Sequence, residues 1–199
     1  MNLQLDAMSV AMPHVVGHPN RLPFRGVLTL VGTASQRSPS GARGHRVMLT
    51  RAATEAALPS LLGMALDYAP ALDAHDARRK IGIITQADIV PILQSKTSRP
   101  TGVQPLSPSF GDRVGSQSPV GQIAVSGYLF AHDFPDVVDE IRAQARSTLG
   151  MSYEIANATV PNQDAAIWTV TRFTFTGAAV LRRDKAAYPQ TWIALAASN

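Results

Sequence analysis

Two side chains far apart in sequence have the types needed for nucleophilic acyl transfer. Ser152 lies in Leu149-Gly150-Met151-Ser152-Tyr153-Glu154, and His75 lies in Leu72-Asp73-Ala74-His75-Asp76 ahead of Ile81-Gly82-Ile83-Ile84. A serine hydroxyl is a poor nucleophile at neutral pH until a neighbouring base takes its proton. Imidazole is the side chain best matched to that task near pH 7. His132 is a rival base, but it precedes Asp133, which reads as a helix N-cap. His14 and His18 fall in a Pro- and Gly-rich arm, and His45 follows a Gly-rich loop.

Other chemistries find less support. The chain has no cysteine, which excludes disulfides, thiolate metal sites and a cysteine nucleophile, and suits a reducing compartment. No HExxH or clustered carboxylate–histidine spacing points to a catalytic metal, no Gly-rich phosphate loop is present, and no cofactor is expected. The string Gly150-Met151-Ser152-Tyr153-Glu154 lacks the G-x-S-x-G elbow of common esterases. A net charge of +4 and a pI near 9.8 allow attraction to polyanions. The basic residues are nevertheless scattered, and aromatics, at 6%, are not interleaved with arginines, which argues against nucleic acid as the primary ligand. The first 13 residues show no basic segment leading into an apolar one, and no apolar run is long enough to cross a bilayer. A soluble, intracellular protein is expected, with no membrane partner.

The elements that must position the serine and the histidine read as follows. Residues 1–23 form an irregular N-terminal arm, and 24–199 a single domain. Phe24 to Gly32 is a β-branched first strand, and His45 to Leu49 a second. Thr50 caps a helix running toward Leu62, and Met64, Met151 and the leucines of 58–66 fill core. Lys80 to Val90 alternates as a strand, with Gln122 to Phe130 its antiparallel partner. Between them, 95–121 is a Pro/Gly/Ser-rich insertion. Asp133 to Ser147 is a helix, with Pro135 in its first turn and Arg142 and Arg146 late in it. Met151 to Val160 is a strand, Asn157 to Asp164 a turn region and Trp168 to Thr176 a further strand. Gly177 to Asp184 continues as a loop or short strand, and Lys185 to Tyr188 begins a final helix. Strands outnumber helices without βαβ alternation, which points to an α+β domain or barrel.

The segments LDAHDARRKIGIIT (72–85), IAVSGYLF (123–130), LGMSYEI (149–155) and TRFTFTGAAVLRRDKAAY (171–188), taken in that order, resemble the prohead maturation proteases of tailed phages. More remotely, they resemble the herpesvirus capsid-assembly proteases, the assemblins. The resemblance implies an assemblin-like β-barrel core surrounded by helices. It also implies a serine endopeptidase that cleaves scaffold and capsid protein inside the procapsid, in the host cytoplasm. Assemblins dimerise, which makes a homodimer possible. By the same resemblance His75 is the base and Ser152 the nucleophile. The assemblins' second histidine falls at Thr174 here, and the turn of Arg182 and Arg183 would line the oxyanion hole through backbone N–H groups and a guanidinium. Threonine can orient an imidazole but not offset an imidazolium charge. Asp76, Asp73 or Glu154 could fill the third place instead, or the site could run as a dyad. That departure keeps a non-catalytic capsid assembly or scaffolding protein with a protease-like fold as the alternative.

Overall fold

The computed structural model describes residues 7–13, 15, 17–92, 120–144 and 148–196. Among the described residues, ten strands and two short helices follow in chain order. The strands are β1 (Ala7–Ser9), β2 (Leu22–Val31), β3 (Arg46–Leu49), β4 (Ala65–Tyr68), β5 (Lys80–Pro91), β6 (Gly121–Leu129), β7 (Leu149–Thr159), β8 (Ile167–Val170), β9 (Arg172–Arg182) and β10 (Trp192–Leu195). The helix α1 (Arg51–Ala57) runs into a 3₁₀ turn at Leu58–Leu61, and α2 (Pro135–Ala143) precedes β7.

Seven strands form one curled sheet, half a barrel, in the order β10-β2-β6-β5-β4-β9-β7, and β1 extends the pairing of β5 beyond β4. Every pairing in it is antiparallel except β4 with β9. The curl brings edge strand β7 back against the opposite end. A Cβ at Gly26 on β2 would lie 2.5 Å from the Trp192 carbonyl oxygen, which requires glycine there, and 2.6 Å from Met151 Sδ, whose side chain reaches over it from β7. Thr191, just before β10, accepts the Met151 N–H at 3.1 Å and donates to Tyr188 O at 2.9 Å. The apolar faces of these strands enclose a core that includes Leu28, Leu66, Ile84, Ile123, Leu129, Met151 and Phe175.

Several local expectations hold at the level of single side chains. Thr50 caps α1, its hydroxyl accepting from Ala53 N at 3.3 Å. Strand β6 pairs antiparallel with β5 from Gly121–Pro91 to Leu129–Gly82. Other elements differ. The helix stops at Ala57 because Pro59 tightens the chain into the 3₁₀ turn, and the segment beyond emerges as β4. Part of the arm is strand β1. The run from Trp168 to Thr176 divides at Thr171, whose N–H donates to Thr159 O at 3.0 Å. Before that break β8 pairs in parallel with β3 as a separate ribbon; after it β9 enters the main sheet and continues to Arg182. Residues 185–188 form turns, with Lys185 N donating to Arg182 O at 2.9 Å, and β10 follows instead of a helix. Asp133 does not cap α2. Phe134 occupies that position, and Asp133 instead accepts from Asn20 Nδ2 at 2.7 Å. The helices are two and short among the described residues, so they do not ring the sheet. None is long and apolar enough to cross a membrane. The insertion at 95–121, apart from its last two residues, and Arg146 lie outside the described residues.

Candidate active site

The site is a single row across four strands. Asp67 on β4 pairs with Lys80 on β5 on one side and with Ala179 on β9 on the other, and Ala179 pairs with Ser152 on β7. Residues paired directly across strands project to the same face, so Lys80, Asp67, Ala179 and Ser152 stand side by side. With strands about 4.8 Å apart, Asp67 and Ser152 are separated by roughly 10 Å across the small, fully buried Ala179. An imidazole spans such a gap between a carboxylate and a hydroxyl. An irregularity in the ladder between Leu66 and Asp67 re-aims the carboxylate at this row.

The loop joining β4 to β5 supplies the imidazole. Leu72 is buried at φ 52, a backbone conformation unusual for a branched side chain, and its carbonyl accepts from Arg182 N at 2.7 Å. That bond pins the loop against the end of β9. The chain then turns back, Arg79 N donating to Asp76 O at 3.1 Å, and His75 lies over the row. Its Nδ1 is 3.2 Å from Asp67 Oδ2, while Lys80 Nζ donates to Asp67 Oδ1. Asp67 is 1% exposed, and a carboxylate taken out of water is tolerated only with such partners on both oxygens. With the ionised carboxylate accepting, Nδ1 carries the imidazole proton and Nε2 offers its lone pair. That Nε2 is buried and has no hydrogen-bond partner among the described residues.

His75, Asp73, Ser152 and Glu154 line one cavity of about 850 Å³. The loop from Arg37 to Arg43 also lines it, as do the apolar side chains of Val160, Val170 and Trp168. Trp168 is fixed by stacking on His45, ring centroids 4.6 Å apart, and by donating from Nε1 to Gln163 O at 2.9 Å. His45 is thus a structural residue, its Nδ1 2.9 Å from Ala165 O. His132 is exposed at the Asp133 corner, with Nδ1 3.6 Å from Asp133 Oδ1, and does not line this cavity. Behind Ser152, Tyr153 packs edge-on against Phe175, and burial pushes its phenol up to about 12.

The structure brings His75 and Ser152 to one cavity and leaves Thr174 out of it. Thr174 is exposed on β9 opposite Ala156, beyond Gly177, and the β9 threonine that reaches the cavity is Thr176. Arg182 and Arg183 line a second cavity, of about 720 Å³. Their N–H groups are taken by Leu72 O and Thr148 O, both at 2.7 Å, so neither is available to an oxyanion. The Arg182 guanidinium forks onto Asp184 at 2.9 and 2.6 Å and holds that carboxyl below its ordinary range. Of the carboxylates considered for the third place, Asp76 accepts from Arg78 N at 3.0 Å within its own turn, and Glu154 Oε1 is 3.8 Å from Nδ1, beyond hydrogen-bond range. The group that bonds the imidazole is Asp67, which sequence reasoning missed. Its signal was a single carboxylate between Leu66 and Tyr68 in an otherwise apolar stretch.

Comparison with protein-family models, curated proteins and solved structures returns no match.

Proposed function

We propose that this chain is a serine endopeptidase. One observation carries the reading: a buried carboxylate bonds Nδ1 of an imidazole that lines the same cavity as Ser152 and whose Nε2 has no partner among the described residues. His75 takes the Ser152 proton as Oγ attacks the scissile carbonyl. Asp67, rather than Thr174, orients the ring and offsets the imidazolium charge. The proton passes to the leaving amine as the C–N bond breaks, and water then releases the acyl group from Oγ. Catalytic hydrogen bonds often tighten only when substrate binds, so the unjoined Ser152 and His75 are compatible with this role. A cavity of about 850 Å³ with both polar and apolar lining residues has room for several residues of a polypeptide.

The ordered segments that resemble prohead maturation proteases support capsid protein and scaffold as substrates, with the protein acting inside the procapsid in the host cytoplasm. An assemblin-like barrel and a homodimer belong to the same proposal. Coexpression of this chain with the capsid protein it would process tests this proposal. Wild type is expected to shorten the capsid protein, and Ser152→Ala to leave it full-length with an intact fold. Persisting cleavage by Ser152→Ala overturns the assignment of the nucleophile. Full-length capsid protein in normal shells, with wild type present, marks a non-catalytic assembly protein instead.

A further inference from the structure

The geometry points to a divalent-cation site of the zinc type, formed by Asp67 Oδ2, His75 Nδ1 and Glu154 Oε1, that holds the proposed peptidase inactive. The three donor atoms all lie within 4.8 Å of one another, with Nδ1 3.2 Å from Oδ2 and 3.8 Å from Oε1. Tetrahedral zinc, with bonds of about 2.0–2.2 Å, places its ligand atoms roughly 3.3–3.5 Å apart. The pair at 3.2 Å is thus nearly set, and Glu154, 52% exposed, has the freedom to close the remainder.

Glu154 reaches this position because of the residue opposite it. It pairs with Gly177, and a Cβ there would lie 2.6 Å from Glu154 Oε2, so its side chain lies flat across β9 toward His75. The donor set also selects the ion. One imidazole with two carboxylates suits zinc or cobalt, whereas magnesium and calcium favour oxygen ligands throughout. Lys80 engages only Oδ1 and leaves Oδ2 for a metal. Two carboxylates against one ammonium leave the site net negative, and water would fill the fourth position.

Binding would act through the tautomer. A metal on Nδ1 needs that lone pair, so the proton moves to Nε2, which can no longer accept a proton from Ser152. Zinc would therefore switch off the base without blocking the cavity. This consequence rests on His75 serving as the base; the metal site itself does not.

The test uses the full chain stripped of metal with EDTA, zinc chloride as the probe in calorimetry, and fluorophosphonate labelling of Ser152 as the readout of the nucleophile. Wild type is expected to bind one zinc and to label more slowly with zinc, recovering in EDTA, while magnesium does neither. Glu154→Gln should bind zinc roughly tenfold or more weakly, on the scale lost with even an outer-sphere partner, and should label at its EDTA rate with zinc present. Ser152→Ala should bind zinc as wild type does. Absent binding, or binding undiminished in Glu154→Gln, overturns the site. Binding that leaves labelling unchanged overturns the switch. If fluorophosphonate labels a residue other than Ser152 while Glu154→Gln still loses zinc, the peptidase reading fails and the metal site stands.

Discussion

Asp67→Asn separates the proposed machinery from a merely buried ion pair. The asparagine would keep the shape of Asp67 and both of its neighbours, but its amide has one oxygen and one NH₂. Lys80 donates to one side of the group and can only be met by the oxygen. The NH₂ must then face His75 Nδ1, 3.2 Å from the other side, which makes Nδ1 the acceptor and puts the ring proton on Nε2. The base would be present in the wrong tautomer. In Ser-His-Asp enzymes that error lowers turnover by about 10⁴-fold, equivalent to roughly 5.5 kcal/mol at the barrier. The cost to folding should be much smaller. A charge-assisted hydrogen bond becomes a neutral one, worth about 1–3 kcal/mol, or a fall in Tm of roughly 5 °C for a chain of this size. The assay is the rate at which a fluorophosphonate labels Ser152, which needs no knowledge of the natural substrate, with Tm measured alongside. Adding Lys80→Met should partly rescue Asp67→Asn, because the amide is then free to turn its oxygen toward Nδ1. Labelling of Asp67→Asn at the wild-type rate, or a double variant no faster than the single one, would refute the reasoning.

Other expectations follow from the same geometry. Ala179→Leu should overfill the gap beneath the imidazole, slow labelling by about 10²-fold through misplacement of His75, and cost about 1–3 kcal/mol, read by denaturant melting. Thr174→Ala, exposed and outside the cavity, should leave labelling unchanged and stability within about 0.5 kcal/mol. Thr191→Val should destabilise by about 1–3 kcal/mol, since it leaves the buried Met151 N–H without its acceptor where β7 meets β10. Burial raises the phenols of Tyr68, Tyr153 and Tyr188, and Glu140 adds to the effect on Tyr68. Their neutral forms favour the fold, so that contribution is whole below the ordinary phenol value near 10 and shrinks as pH rises toward 12. Absorbance at 295 nm should show these three ionising together with alkaline unfolding; early ionisation of the three in an intact fold would count against their burial.

Local signals were legible wherever one residue's chemistry decided one turn of structure. Thr50 capped its helix, the alternation of 80–90 and 122–130 declared two paired strands, and Ser152 and His75 stood out by residue type and by the order of their segments. The helix toward Leu62 ends early because Pro59 turns the chain into a 3₁₀ segment, and β4 beyond it, four residues long, was too short for its alternation to show. The split at Thr171 was hidden because β8 and β9 share one β-prone composition, and only their partners distinguish them.

The third member of the site was beyond reach for a related reason. Asp67 meets Ser152 through a row that crosses β4, β9 and β7, and pairing register between strands distant in sequence is a property of the folded sheet. The amino-acid sequence determined which groups could react and roughly where strands would form. The curled sheet decided which carboxylate faces the imidazole, because a buried charge takes its partner from whatever the sheet lays beside it.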